Sequence, residues 1–302
     1  MLDYKPNHST RKGILIFLAV ILACVVLVAG LSFLVSKKDH FGPSKIAVIR
    51  VEGIITDSKD VLDQFNEYEH NQTIKAIVLR VDSPGGGVGP SQEIYDRVIN
   101  IQKKGSPKII VSMGSVAASG GYYISCAADK VVANPGSLTG SIGVIMEFAN
   151  VQELFKKIGL DTVVIKTGEF KDIGNPTRTM TPAEKQLLQG VIDDVYQQFV
   201  EAISRGRKLS VEKVRAIADG RIFSGKQAKE LGLVDELGGL ERALEIAADM
   251  VGIKQRPLEI IEREEQFSWK KLLSSISQVT SLGYGGSFIP QIKSSVSLDY
   301  RL

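Results

Sequence analysis

Short runs of apolar, β-branched residues alternate with amphipathic stretches along the middle of the chain. The apolar runs lie at 45–51, 74–81, 108–113, 130–133 and 161–166. Helical patterns lie at 58–68, 91–103, 119–127, 181–205, 211–218, 225–231 and 240–250. Apolar runs of this length between helices are typical of parallel strands covered on both faces. The pattern therefore predicts an α/β fold of mostly parallel strands with flanking helices.

The start of the longest predicted helix is marked by its own residues. Thr181 and Glu184 have the spacing of a capping box, in which each side chain bonds the other residue's backbone N–H. Pro182 occupies the first helical position, where its missing N–H is not needed. The helix is therefore predicted to begin at Pro182 and to run to Arg205.

Residues 13–36 form an apolar stretch without a single charge. About 20 apolar residues cross a bilayer as a helix, whereas a cleavable signal peptide has a shorter apolar core. We therefore expect a membrane anchor at 13–36, with the arm 1–12 inside and the large body outside. Residues 21–24 loosely resemble a lipoprotein processing site, so lipidation of Cys24 is an alternative, although the apolar run continues beyond it.

The chain is accordingly divided into five segments. These are an N-terminal arm (1–12), the transmembrane anchor (13–36), a linker (37–44), a folded body (45–265) and a tail rich in serine and glycine (266–302). The composition of the tail is that of a flexible or partner-dependent extension.

Charge and cysteine content exclude several classes of protein. The net charge of +3 over 302 residues is small, and no lysine or arginine block forms a phosphate-binding stripe, so nucleic acid is not an expected partner. The two cysteines, Cys24 and Cys126, lie in different environments, so no disulfide is expected between them.

Three short segments carry candidate chemistry. The run SPGGG at 83–87 follows a predicted buried strand, and its glycine amides can form an oxyanion hole, a plain tight turn or a phosphate cradle. Ser119 lies between small residues where a strand gives way to a helix, so it is either a nucleophile or a helix cap. Lys171 lies in the loop before the long helix, where most lysines are simply hydrated.

The histidines narrow the choice of mechanism. A Ser–His–Asp triad needs a histidine beside the nucleophile. The chain has three, His8, His40 and His70, and none lies near a candidate nucleophile segment. A serine hydrolase here would therefore use lysine as its base. With no histidine or cysteine cluster of metal-ligand spacing and no P-loop after the glycines, no metal and no cofactor are expected.

Four ordered motifs resemble those of a known family. They are DSPGGG at 82–87, ASGGYY at 118–123, GSLTGSIG at 136–143 and GEFK at 168–171. In this order they resemble the short, single-copy bacterial signal peptide peptidase A, and the resemblance covers roughly 45–250. It implies a Clp-protease/crotonase-type fold, with Ser119 as nucleophile and Lys171 as general base. It also implies that Gly86 supplies an oxyanion-hole amide and that Ser141 holds the lysine amine.

The resemblance implies further properties. Such a peptidase is anchored in the bacterial cell membrane by a single span, with its body on the extracytoplasmic side, and degrades signal-peptide remnants. A single-copy chain would build its sites by homo-oligomerisation, with Ser119 and Lys171 supplied by neighbouring subunits. Because a hydrated lysine is almost fully protonated at neutral pH, an alkaline-leaning activity is expected.

Three alternatives remain open on the sequence. The first is another membrane-bound Ser–Lys peptidase of similar fold that cleaves a membrane protein rather than signal peptides. The second is a crotonase-type acyl-CoA enzyme, which also holds an oxyanion on glycine amides but leaves Ser119 and Lys171 without roles. The third is a non-catalytic membrane scaffold in which the glycines serve only packing.

Overall fold

The computed structural model describes residues 20–23, 25–27, 43–254, 260–263 and 299–300. Most of the predicted anchor and linker, and all of the predicted tail except 299–300, lie outside these ranges. Residues 20–23 and 25–27 are helical. Across the described ranges, no helix is both long enough and apolar enough to cross a membrane.

Eight strands of the described chain form one sheet, in which the path β7-β6-β4-β2-β1-β9 is extended by β5 beside β4 and β8 beside β5. The pairs are parallel except for β6 with β7. Their bounds are β1 Lys45–Glu52, β2 Ile74–Ser83, β4 Lys108–Ala118, β5 Lys130–Ala133, β6 Leu138–Gly140, β7 Ile222–Ser224, β8 Glu236–Leu237 and β9 Ile260–Glu262. Two more strands, β3 Gly86–Gly87 and β10 Asp299–Tyr300, pair antiparallel with each other.

Helices cover both faces of this sheet. They are α1 Lys59–His70, α2 Val88–Lys104, α3 Gly120–Ser125, α4 Gln152–Lys157, α5 Pro182–Arg207, α6 Val211–Arg215, α7 Gly225–Glu230 and α8 Leu240–Met250. Alternate residues of β1 enter two separate apolar clusters: Ile49 joins the larger one, which contains α2 and α5 residues, and Val48 joins the smaller one under α8. Because both faces are buried, the strand is apolar without a break from Ile46 to Ile49.

The predicted α/β fold of mostly parallel strands is confirmed, and most predicted elements are found. Strands occur at four of the five predicted runs, and α8 has the predicted bounds. The capping box is present: Thr181 Oγ1 accepts the Glu184 N–H at 3.2 Å, and Glu184 Oε2 accepts the Thr181 N–H at 2.8 Å. Two elements differ in their bounds from the prediction. Strand β4 continues beyond the predicted run 108–113 to Ala118, and α3 then begins at Gly120.

The predicted strand at 161–166 is wrong. These residues form no strand, and Val163 and Ile165 are 87% and 96% exposed. β-Branched residues suit a strand only where a neighbouring edge offers hydrogen bonds and a covered face. Within the described residues, this segment pairs with no such edge. Between Gly143 and Thr181 the only regular element is the short helix α4.

Candidate active site

Ser119 lies at the sharp turn between β4 and α3. Its backbone has φ 52° and ψ −118°, a conformation that costs a non-glycine residue on the order of 1–3 kcal/mol. The turn is held by two hydrogen bonds, from the Ser119 N–H to Gly140 O and from the Tyr123 N–H to Ser119 O, each at 2.8 Å. A strained serine between a strand and a helix has the backbone setting of a nucleophile elbow.

The Ser119 side chain is fully buried, and its Oγ has no hydrogen-bond partner among the described residues. Leaving a buried hydroxyl unpaired costs about 1–3 kcal/mol, so native proteins rarely tolerate it without a functional reason. The described part of the chain therefore supplies no hydrogen-bond acceptor for the Ser119 hydroxyl.

The helix that follows Ser119 is fixed by two tyrosines. Tyr122 Oη donates to Leu233 O at 2.9 Å inside the core. The Tyr123 ring packs between Tyr95 and Phe199, with centroid separations of 4.8 and 5.0 Å. These contacts hold α3, and with it the Ser119 turn, against α2 and α5.

The glycine run follows β2, which pairs with the Ser119 strand β4. Gly85 has φ 103°, and its N–H donates to Ser83 Oγ at 3.1 Å. A Cβ on Gly86 would lie 2.3 Å from Ile55 O, so no side chain fits there. Strand β3, which contains Gly86, contacts α3. The glycine amides and Ser119 thus share the carboxyl-terminal edge of parallel strands, where ligands bind in open α/β sheets.

Ser141 adjoins the same turn. It follows Gly140, whose carbonyl accepts the Ser119 N–H, and its own N–H donates to Arg221 O at 2.8 Å. A cavity of about 420 Å³ begins at Ser141 and is lined mainly by apolar side chains, including Ile142 and Tyr196. Ser141 therefore lies one residue beyond the carbonyl that holds the Ser119 turn, and Gly86 lies on a strand that contacts the helix after Ser119.

Lys171 is the predicted site residue that is not linked to the other predicted site residues within the described part of one chain. Its side chain is exposed, and no hydrogen bond links it to Ser119. It lies in a series of turns before α5 rather than after a strand. The burial that would make a lysine amine a base is therefore not provided by the described part of one chain.

Other reactive groups in the body do not compete with Ser119. Burial raises the pKa of Cys126 to about 12, so its thiol stays protonated and unreactive. His70 is exposed at the end of α1 and bonds Asn66 O through Nδ1 at 2.6 Å. In the part of the chain that the structure describes, no group of three or more His, Cys, Asp or Glu side chains could hold a metal ion.

An ion-pair network beside Lys171 was missed from the sequence. Arg178 bonds the carboxylates of both Asp172 and Glu184, and Lys166 also bonds Asp172. The sequence pattern around Glu184 indicates only a helix-capping residue. The one sequence signal for this network was the number of acidic and basic residues close to Lys171, the candidate base.

Comparison with known proteins identifies the family. The model of peptidase family S49 matches residues 101–254, just over half of the chain, and the Clp protease model matches residues 45–138. The chain belongs to peptidase family S49. A Synechocystis protein described as a protease is 44% identical over 72% of this chain and 78% of its own length.

Two further relatives have more specific names. A protein of Enterococcus faecium described as signal peptide peptidase SppA is 36% identical, over 67% of this chain and 62% of its own length. Protease 4 of Haemophilus influenzae is 36% identical over 74% of this chain but only 38% of its own length. The resemblance seen in the motifs is thus confirmed, and this S49 protein is a serine peptidase rather than an acyl-CoA enzyme or a scaffold.

Proposed function

We propose that this S49 peptidase is a membrane-anchored endopeptidase that uses Ser119 as nucleophile and Lys171 as general base to degrade signal-peptide remnants. The observation that carries the proposal is Ser119 itself: its backbone is strained, and its buried hydroxyl has no hydrogen-bond partner among the described residues. The catalytic body would comprise residues 45–265.

Lys171 would reach Ser119 from a neighbouring copy. The segment before it exposes Val163 and Ile165, apolar side chains that another protein surface would cover. The cavity at Ser141 is open on the body that holds the nucleophile. Docking of one copy's 161–171 segment near another copy's Ser119 and Ser141 would bury both the exposed apolar residues and the lysine amine.

Such burial would also activate the base. A lysine amine that loses its water is driven to the neutral form, because a low-dielectric environment disfavours the charge. A hydroxyl at Ser141 can then orient the amine by a hydrogen bond. The catalytic site would be complete only in the oligomer.

The reaction follows from these positions. The Lys171 amine takes the Ser119 proton as Oγ attacks the peptide carbonyl, and the carbonyl oxygen becomes an oxyanion near the Gly86 N–H. Collapse of this intermediate breaks the C–N bond, and the lysine ammonium returns a proton to the leaving amine. Water, deprotonated by the same lysine, then hydrolyses the acyl-enzyme and frees Ser119.

A peptide substrate suits the edge offered by β3. In the structure the chain's own segment Asp299–Tyr300 lies antiparallel to Gly86–Gly87, with Tyr300 opposite Gly86. Extended peptides commonly bind by adding a strand to such an edge. The choice of signal-peptide remnants is supported by the relative described as signal peptide peptidase SppA and by the expected anchor at 13–36.

The test is hydrolysis of fluorogenic peptides and of synthetic signal peptides in micelles by the full-length chain. Ser119→Ala and Lys171→Ala should each reduce the rate to background while folding and assembly persist. Lys156→Ala, which removes an exposed lysine from α4, is the matched control and should keep wild-type activity. If the Lys171 variant stays active, the base is misassigned. A preference for an intact membrane protein over signal peptides would support the alternative substrate class.

A further inference from the structure

The segment that carries Lys171 has no helix or strand to hold it, and side-chain bonds to Asp172 take that role. Arg178 approaches Asp172 with two parallel bonds of 2.9 Å, from Nε to Oδ2 and from Nη2 to Oδ1. Arg178 Nη2 also donates to Asp172 O at 3.1 Å, which fixes the backbone next to Lys171. From the other side, Lys166 Nζ bonds the Asp172 carboxylate and Glu169 O.

Arg178 also ties this segment to a helix of the core. Its guanidinium donates to Glu184, with Nη1 2.8 Å from Oε2. Glu184 is only 2% exposed and also accepts the Thr181 N–H, so it is part of the cap of α5. Helix α5 in turn buries Phe199 in the larger apolar cluster. An unbroken series of bonds thus runs from the core to the residue after Lys171.

The network keeps its charge over the whole range in which a lysine base can work. The hydrogen bonds from Arg178 hold the pKa of Asp172 well below its usual range and lower the pKa of Glu184 to about 2. Both carboxylates are therefore ionised from mildly acidic to alkaline pH. The two carboxylates next to Lys171 therefore keep their bonds to Arg178 across this range.

The geometry points to Arg178 as a positioning residue, which through Asp172 and Glu184 holds Lys171 where it can take the Ser119 proton; this inference rests on the proposed role of Lys171. Exposed ion pairs usually contribute little. This one differs because a single guanidinium makes bidentate contacts with two carboxylates, one of them buried. A misplacement of about 1 Å in a proton-transfer group can cost about a hundredfold in rate.

The experiment compares Arg178→Gln and Arg178→Lys with the wild-type full-length enzyme in detergent. We expect Arg178→Gln to lower kcat by about tenfold or more with KM within about twofold, since the substitution leaves unchanged the β3 edge at which we propose that the peptide binds. Arg178→Lys should be intermediate, because an ammonium cannot make the bidentate contacts. Arg242→Gln, which removes an exposed pair with Glu245 on α8, is the control and should leave kcat unchanged.

A second variant separates the loss of positioning from a loss of folding. Asp172→Asn keeps the side-chain volume and the Arg178–Glu184 pair, and should also lower kcat more than KM. The kcat should be measured per assembled oligomer. If it stays within about twofold of wild type in both Arg178→Gln and Asp172→Asn, the inference is overturned, even if thermal stability falls. Failure of the proposed function has a different signature, because Lys171→Ala would then remain active whatever the Arg178 variants do.

Discussion

The proposed division of the active site between subunits makes a quantitative prediction for mixed oligomers. The Ser119 hydroxyl has no partner among the described residues of its own chain, and Lys171 is exposed. Ser119→Ala and Lys171→Ala subunits are each inactive alone under this scheme. In a mixed oligomer, some sites combine the intact Ser119 of one subunit with the intact Lys171 of its neighbour.

The expected recovery can be calculated from the mixing ratio. In an equal, random mixture, half of the sites have an intact serine and, independently, half have an intact lysine. About a quarter of the sites are then complete, so the specific activity should return to about a quarter of wild type. At other ratios the activity should follow the product of the two subunit fractions and fall symmetrically on either side of the equal mixture.

The assay is fluorogenic peptide hydrolysis after co-expression or co-refolding of differently tagged variants. Recovery of both tags in one purification step shows that the oligomers are mixed. Mixed oligomers that stay at background activity at every ratio would refute a shared site and would require Ser119 and Lys171 to meet within one chain. The result does not depend on the choice of peptide, because each preparation is compared with wild type on the same substrate.

Three further outcomes are expected. Gly86→Ala should lower kcat and the thermal midpoint together, because the new Cβ would meet Ile55 O at 2.3 Å; kinetics and calorimetry of the same sample check this. The pKa values of Asp172 and Glu184 are lowered on folding, so their stabilising contribution is complete above about pH 5 and is lost as pH falls towards 2. Thermal melts from pH 6 to 2 should therefore drop less steeply for Arg178→Gln than for wild type. Ending the chain after residue 298 should lower KM for peptides without changing kcat, because 299–300 occupies the β3 edge; an unchanged KM would contradict competition at that edge.

Much of the fold could be predicted because its signals are local. The apolar runs of β1 and β2 are continuous since both sheet faces are buried, and the capping box at Thr181 is formed by neighbouring residues. The predicted strand at 161–166 failed because a strand needs a partner, and pairing is not a property of the segment itself. Its β-branched composition is equally suited to an exposed segment that a second chain covers.

The candidate site likewise contains residues that could be predicted from the sequence and residues that could not. The Ser119 turn and the glycine run are short motifs, so their residues could be named from the sequence and the structure places them at one sheet edge. Arg178 could not be found in this way, because its contacts join a loop to the start of a helix without any periodic pattern. The sequence could nominate Lys171, but in the proposed scheme its approach to Ser119 depends on the surface of a neighbouring copy.

The exposed residues beside Lys171 link assembly to activity in the proposed scheme. A hydrated lysine is almost fully protonated near neutral pH, so an unassembled subunit would have a nucleophile without a base. The surface that would cover Val163 and Ile165 on assembly would also remove water from Lys171, six residues after Ile165. Hydrophobic association would then supply the free energy for dehydrating the amine, since covering apolar area is favourable and burying a charge is not. Peptide hydrolysis would thereby be confined to the assembled enzyme, and a peptidase that is inert as a monomer is less able to damage other proteins before it reaches its site of action.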